Sequence, residues 1–246
     1  MPEGHSIHRA ARSQRPHLVG QHVRVSSPQG RFGDATLLDG TRITAIEARG
    51  KHLFYRFEPL RGSERVLHVH LGLAGRFRWR KLPLVTAGHS VRLRLETADR
   101  ALDLSGPLIC ELVDEKVRAE LMARLGPDPL VPQARPAKFL ARLAATRVSI
   151  GAVLLDQSAI AGIGNVYRAE ILWDARVDPR RPSNGLTGSE HTALWDLARR
   201  HLRDGVARGR ITKSVYKRRM CSRCSAAIDT ATLGGRPCYF CPGCQR

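Results

Sequence analysis

The residues that could do chemistry stand at the two ends of the chain. Met1-Pro2-Glu3-Gly4 opens it. A small second residue such as Pro permits removal of the initiator Met, which would leave Pro2 as a free secondary amine. An α-amino group titrates near roughly 8, about two units below a Lys side chain. A useful fraction is therefore unprotonated at neutral pH and able to attack an aldehyde-like sugar carbon, forming a Schiff base. Because the nitrogen is secondary, the adduct is a charged iminium, an electron sink. Glu3 is next in the chain, and a carboxyl group beside a nucleophile is a natural proton donor or acceptor.

At the other end, Cys221-x2-Cys224 and Cys241-x2-Cys244 are separated by 16 residues. Each pair makes a knuckle that aims two thiolates at one tetrahedral ion, and the spacing is that of a structural zinc site. One Zn2+ is expected. Four thiolates close its shell, so it is not expected to activate water. Cys238 is a rival third ligand, but Tyr239-Phe240 beside it read as strand, and it is taken as an ordinary thiol. Cys110, in the apolar run LICEL, reads as core packing. So short a terminal segment buries little, and the metal would supply its folding free energy, on the order of 10 kcal/mol. DTATLGGRP reads as a hairpin with Gly234-Gly235 at the tip. Arg236 just after it can reach a phosphate; the plainer alternative is a solvated surface Arg.

Composition narrows the partner. The chain has 246 residues with 41 Lys and Arg against 22 Asp and Glu, a formal charge of +19. Arg dominates the cations, and its planar fork suits bidentate phosphate contact. So large a positive charge points to a polyanion, nucleic acid before membrane. No apolar run reaches the length of a membrane span, and no hydrophobic leader follows the N-terminus. A cytoplasmic, nucleoid-associated protein is expected. Disulfides are rare there, which favours the metal reading of the cysteines.

These residues need elements to hold them. Ile7, Ala10 and Ala11 predict a short helix from Glu3 to about Arg15, ended by Pro16. Residues 22–113 carry eight strand-length segments, among them HLFYRFE, VLHVHLGL and SVRLRLET. Eight such strands make a β-sandwich or flattened barrel. Val91-Arg92-Leu93-Arg94-Leu95 reads as a half-buried strand with a basic outer face. From Glu115 the period turns helical, and Gly126-Pro127-Asp128-Pro129 breaks it. Helices are expected at about 135–145, 149–157, 165–175 and 188–207, the last capped by Thr187 or Ser189 with Glu190 in its first turn. Gly162 and Gly164 permit a tight turn with exposed amides. Asn165 then stands at a helix N-terminus, a ready anion site. The fold class is α+β multidomain: an N-terminal helix on a β-sandwich (1–130), a helical DNA-binding domain (131–219) and a zinc ribbon (220–246).

Together, PEG at 2–4, the Gly50-Lys51 turn in ARGKHLF, LGPDPL at 125–130, LLDQSAIAGIGNVYRAEILW and the terminal GRPCYFCPGCQR resemble the Fpg/Nei family of DNA glycosylases. The likeness covers nearly the whole chain and is weakest at 15–45 and 76–120. It implies a bifunctional enzyme that flips an oxidised base out of the duplex, removes it and nicks the strand, with a helix-two-turns-helix motif in its helical domain. Extrusion is needed because the sugar carbon is inaccessible inside the stack. The resemblance implies that Pro2 attacks C1′ and that Glu3 donates a proton during base removal. It assigns β-elimination to Lys51 and δ-elimination to Arg236. Arg124 and Asn165 match residues that hold backbone phosphates. Leu73, in HLGLAG, fits the apolar wedge that fills the gap left by the flipped base.

The ending CPGCQ, the ILW helix and the lack of an Asp-Pro-Arg-Arg-Phe-Gly loop in DLSGPLICELVDE resemble the endonuclease VIII (Nei) branch, which favours oxidised pyrimidines over the purines of the Fpg branch. Two departures stand out. Gly72 and Ala74 flank Leu73 where Nei proteins usually carry Gln and Tyr, and Ser6 replaces a frequent second Glu. Weaker opposite-base discrimination, or more activity on bubbles or single strands, is therefore expected beside action on double-stranded damaged DNA. A monomer is expected because the DNA footprint is asymmetric. The competing class is a non-catalytic zinc-ribbon DNA-binding protein, which would need none of Pro2, Glu3 and Lys51.

Overall fold

The computed structural model describes residues 2–59, 65–83 and 88–246. Met1, whose removal the sequence reading expects, lies outside them. The chain forms two compact units. Among the described residues, one comprises Pro2 and 7–123, the other residues 3–6 and 124–246.

In the first unit, α1 (Gly4–Leu18), which belongs to it from Ile7 on, precedes eight strands: β1 (Arg24–Ser26), β2 (Ile43–Arg49), β3 (His52–Phe57), β4 (Val66–His70), β5 (Arg76–Lys81), β6 (Val91–Glu96), β7 (Arg100–Ser105) and β8 (Ile109–Val113). They make two four-stranded sheets, ordered β1-β6-β7-β5 and β2-β3-β4-β8. Both are antiparallel. Strand alternation sends Leu53, Tyr55, Leu67 and Val69 from one sheet, and Val25, Leu93, Leu95 and Leu102 from the other, into a shared core that also takes Ile7, Ala11 and Leu18 of α1. That is the expected helix on a β-sandwich.

Three local expectations are corrected here. Pro16 does not end the first helix, which runs to Leu18 with Pro16 inside it. Proline removes one hydrogen bond within the last turn, and full burial of Leu18 outweighs that loss. A short helix, α2 (Ala35–Leu38), interrupts the strand region; burial of Ala35 and Leu38 holds it. The basic outer face of β6 is not solvated at Arg94. Cross-strand register sets Arg94 opposite Asp103, and its Nε donates to Asp103 at 2.7 Å while Arg80 donates to the same carboxylate at 2.9 Å. Burial pushes the Asp103 carboxyl up, but the hydrogen bonds of Arg94 and Arg80 outweigh it and hold it below its ordinary value. Alternation predicts which face a residue takes, not whether a neighbouring strand covers that face.

Helix α3 (Glu115–Arg124) closes the first unit. The second contains α4 (Ala137–Ala145), α5 (Ile150–Val153), α6 (Asn165–Asp174), α7 (Gly188–Arg208) and the hairpin β9 (Asp229–Leu233) and β10 (Arg236–Phe240). Phe139, Leu143, Ile150, Ile163, Tyr167, Ile171, Leu194, Trp195 and Leu202 form its core. The helix expected over 149–157 is a single turn. Beyond Val153 the chain leaves the helix because Gln157 and Asp156 draw the backbone into turns. At α7, Thr187 and Glu190 form a reciprocal capping box, and Gly209 ends the helix at φ 70°. Among the described residues no helix is long and apolar enough to cross a membrane.

Candidate functional site

The N-terminal motif is tied to the start of α6. The Glu3 carboxylate is buried and accepts from the backbone N–H of Gly164 at 2.7 Å, Val166 at 2.9 Å and Tyr167 at 3.4 Å. It therefore does the work of a helix cap, satisfying donors that α6 itself cannot, where the helix dipole favours negative charge. Gly4 N–H donates to Gly162 O at 2.9 Å. The approach is close enough to dictate glycine. A Cβ at Gly164 would lie 2.5 Å from Glu3 Cδ, and one at Gly4 would lie 2.9 Å from Gly162 Cα. Pro2 precedes Glu3 by one peptide bond, so anchoring Glu3 limits where the terminal nitrogen can go.

The turn that receives Glu3 is knitted by Gln157. Its amide donates to Leu155 O and Ile163 O, both at 2.9 Å, and accepts from Gly162 N at 3.0 Å. LGPDPL braces the other side: Gly126 N donates to Gln157 O at 2.9 Å, and Ala161 N to Pro127 O at 3.1 Å. A Cβ at Gly126 would meet Ala159 C at 2.5 Å. Three separated motifs, PEG, LGPDPL and DQSAIAGIGN, are thus one hydrogen-bonded knot. Below it lies Tyr167, fully buried, its hydroxyl without a partner among the described residues. Burial first, then the Glu3 charge, pushes that phenol upward.

Arg168, one residue on, is a buried clamp that the sequence does not announce. It is fully buried. Its guanidinium donates to Gly151 O at 3.1 Å, Leu233 O at 2.8 Å, Arg236 O at 3.3 Å and Pro237 O at 3.0 Å, and also to Asn165 Oδ1. Burial lowers its pKa, and five oxygen acceptors surround its guanidinium N–H groups. It fastens α6 to the tip of the β9–β10 hairpin. Gly234 and Gly235 make that tip, both at positive φ, as two-residue hairpin turns require, and Arg236 follows, exposed. Asn165 is buried, its amide donating to Pro237 O at 2.9 Å; its side chain belongs to this clamp. An Arg among apolar residues in NVYRAEILW carries no sign of such burial.

The four cysteines converge. The Sγ atoms of Cys221, Cys224, Cys241 and Cys244 all lie within 4.8 Å of one another, with Cys221–Cys244 at 3.8 Å and Cys224–Cys241 at 3.5 Å. A Zn–S bond of about 2.3 Å puts tetrahedral sulfurs roughly 3.8 Å apart, so the donor set fits zinc. These four residues would hold it, and it would supply structural stability. Outer contacts suit a thiolate site: Trp173 Nε1 donates to Cys221 Sγ at 3.2 Å and Arg223 N at 3.4 Å. Gln245 locks the second knuckle, accepting from Cys241 N at 2.8 Å and donating to Val177 O at 2.9 Å. Cys238 stays outside the cluster, in β10, its thiol pushed up by burial to about 11.

The first unit carries Lys51 and Leu73. Gly50 and Lys51 form a two-residue turn between the paired residues Arg49 and His52. Gly50 takes φ 56°, and Lys51 stands half-buried at the turn. Leu73 occupies the tip of a turn closed by Gly75 N donating to Leu71 O at 2.9 Å, and it is 72% exposed. Leu108, 70% exposed, lies against the same turn, since a Cβ at Gly72 would meet Leu108 Cβ at 2.7 Å. Two adjoining apolar tips in water ask for an apolar partner. Arg124, at the end of α3, is exposed and belongs to the second unit.

Comparison with known proteins agrees with this arrangement. Residues 1–107 match the Formamidopyrimidine-DNA glycosylase N-terminal domain, and residues 125–217 the Formamidopyrimidine-DNA glycosylase H2TH domain. The chain is similar to Endonuclease 8 1 of Mycobacterium tuberculosis, at 40% identity with both chains fully covered. It is similar to Formamidopyrimidine-DNA glycosylase of Thermus thermophilus, at 31% identity over 100% of this chain and 98% of that one. Among solved structures, the Lactococcus lactis Fpg in complex with abasic-site DNA gives a TM-score of 0.84 at 25% identity over 99% of each chain. MutM in complex with DNA containing carbocyclic 8-oxo-G gives 0.84 at 26% identity over 100% of each. The class that fold and site define is the DNA glycosylases built on a β-sandwich and a helix-two-turns-helix domain. Within that class, the chain belongs to the Fpg/Nei family of base-excision-repair enzymes.

Proposed function

We propose that the protein is a bifunctional DNA glycosylase and AP lyase that excises oxidised bases, pyrimidines foremost, and nicks the strand by β,δ-elimination. The observation that carries this reading is the capture of Glu3 by three backbone N–H groups at the start of α6. The same contacts cap α6, and borohydride trapping separates the enzyme from a non-catalytic binder.

In the proposed reaction Pro2 nitrogen attacks C1′ of the damaged nucleotide, and Glu3 handles the proton that accompanies departure of the base. The iminium acidifies the C2′ proton, which Lys51 removes to break the 3′ C–O bond. Arg236 serves the second elimination. Its position just after the turn that Arg168 clamps supports that role. Leu73 fills the vacated stack, supported by its exposure. Arg124 and the N-terminus of α6 at Asn165 hold phosphates. The higher identity to an Endonuclease 8 than to a Formamidopyrimidine-DNA glycosylase supports the pyrimidine preference.

Borohydride trapping on abasic-site DNA tests the chemistry. Wild-type protein should form a covalent adduct, while Pro2→Gly, or a chain blocked by an N-terminal tag, should not. Normal trapping by the tagged protein would place the nucleophile elsewhere. A panel of oxidised bases in one fixed duplex tests the substrate range, and faster release of an oxidised purine than of any oxidised pyrimidine would overturn the preference.

A further inference from the structure

The basic run from Arg208 to Arg219 takes no part in the proposed chemistry. It holds six Lys and Arg and no Asp or Glu. Such a run is commonly a solvated face, but its centre, 213–217, is built otherwise. Glu170 of α6 is 1% exposed, and its carboxylate accepts from the backbone N–H of Ser214 at 2.7 Å, Val215 at 3.2 Å and Tyr216 at 2.9 Å. Val215 is fully buried, in one cluster with Ala169, Cys221 and Cys241. Arg218 N donates to Val215 O at 3.1 Å and closes a turn. The backbone that carries the charges is therefore fixed from below.

Lys217 takes φ 57°, in the left-handed region. There a side chain crowds its own backbone and glycine does not, so lysine costs stability at this position. Of the other non-glycine residues in that region, Arg176 follows the end of α6, and Ser225 closes the first cysteine knuckle, its N–H donating to Cys221 O at 3.0 Å. Lys217 does neither, and strain that persists points to the side chain itself. Lys217 is exposed, with Nζ 5.8 Å from the Tyr216 ring centroid, and exposed Lys213 puts its Nζ 5.7 Å from the same centroid. Among the described residues, none of Lys213, Lys217, Arg218 and Arg219 has a carboxylate partner. Like charges gathered at one ring repel each other, and an anion relieves that repulsion. Tyr216 also packs edge-on against Tyr239 of β10 at 5.1 Å. Arg236 stands three residues before Tyr239 on that strand, roughly 10 Å along it. The cluster thus adjoins the hairpin tip that the proposed chemistry brings to DNA.

We propose that Lys213 and Lys217, at the Tyr216 ring, form a phosphate site for the backbone of bound DNA, with Glu170 as the positioning residue that fixes the turn beneath them. The idea rests on DNA as the substrate and is independent of the lyase chemistry. The ammonium groups meet phosphate oxygens as point charges. The Glu170 carboxylate is buried and occupied by three backbone N–H groups, so it shapes the turn without competing as an exposed anion. Phosphate contacts set the register of a duplex and carry no sequence information. The site therefore strengthens binding to damaged and undamaged duplex by the same factor.

Equilibrium binding of the full-length protein to a duplex with a non-cleavable abasic-site analogue, measured from low to high NaCl, tests the site. One phosphate contact contributes about 0.9 to the slope of log K against log salt, which between 1 M and 0.15 M salt is roughly fivefold in affinity. Lys217→Gly removes the ammonium and the backbone strain together. It should bind roughly fivefold more weakly at about 0.15 M salt, with a slope shallower by about 0.9, and melt about 2–4 °C higher. Lys217→Ala should weaken binding equally without the rise in Tm. Lys217→Arg should bind within about twofold of wild type. Wild-type affinity and slope in both Lys217→Gly and Lys213→Ala overturn the site. So does an equal loss in Lys138→Ala, an exposed lysine of α4, which would mark a response to net charge alone. A Tm in Lys217→Gly no higher than wild type overturns the strain that singles out Lys217. Wild-type protein that binds no duplex overturns the DNA reading and the site together.

Discussion

Gly164→Ala sets two physical effects against each other. Gly164 has φ −124° and ψ −162°, extended backbone that alanine adopts freely. On backbone grounds alone the change stabilises by about 0.4–1 kcal/mol, because the unfolded chain loses freedom. The new methyl, however, would lie 2.5 Å from Glu3 Cδ and 2.7 Å from Glu3 Oε1, where ordinary contact begins at 3.4 Å. The carboxylate must retreat by roughly 0.9 Å, the difference between those two distances. That breaks hydrogen bonds of 2.7 and 2.9 Å to Gly164 N and Val166 N. Loss of charge-assisted hydrogen bonds at a helix N-terminus costs about 2–4 kcal/mol. Sterics should win, with a net loss of about 1–3 kcal/mol. For a chain of this size that is a fall in Tm of roughly 2–12 °C. Misplacing a reacting group by about 1 Å also costs on the order of a hundredfold in rate. Differential scanning calorimetry and single-turnover base excision measure the two effects. A Tm equal to or above wild type, with base excision unchanged, would refute the claim that Glu3 is held by this turn.

Three other outcomes are expected. Arg168→Met leaves the carbonyls of Gly151, Leu233, Arg236 and Pro237 short of a donor; each buried acceptor left unsatisfied costs about 1–3 kcal/mol, measurable by urea unfolding, and amides near Arg236 should exchange faster. Asp103 is held below its ordinary value in the folded chain, so the stability it contributes is fully present above the unfolded pKa of about 3.9 and is lost as pH falls through the lower folded value. Asp103→Asn should therefore flatten the acid limb of urea midpoint against pH below about 4, and an unaltered limb would count against the Arg80–Asp103–Arg94 cluster. Strong chelation or Cys241→Ser should abolish zinc in metal analysis and release hydrogen-exchange protection in β9 and β10, while β2 to β4 stay protected; a protected hairpin without metal would show that the ribbon folds by packing alone.

The chain itself determined which elements exist. Eight alternating or apolar segments of strand length became eight strands, because residues i and i+2 must share a face and Leu53, Tyr55, Leu67 and Val69 place theirs in the sandwich core. Two C-x2-C pairs became one four-sulfur cluster, because a knuckle two residues wide leaves its thiolates few directions. Gly50 and Gly234-Gly235 became hairpin tips, because only those backbones take positive φ without penalty.

Tertiary structure alone decided how distant residues share work. Arg94 and Arg168 look like solvated cations in sequence, and each is buried because another segment, Asp103 or the hairpin carbonyls, supplies its acceptors. Pro16 looks like a stop, and burial of Leu18 overrides it. Glu3 is 161 positions from the amide of Gly164 that it caps, and Glu170 is 44 from the amide of Ser214 that it holds. Hydrogen bonds between side chains and remote backbone leave no periodicity behind. They depend on where two segments come to rest, and only the folded chain fixes that.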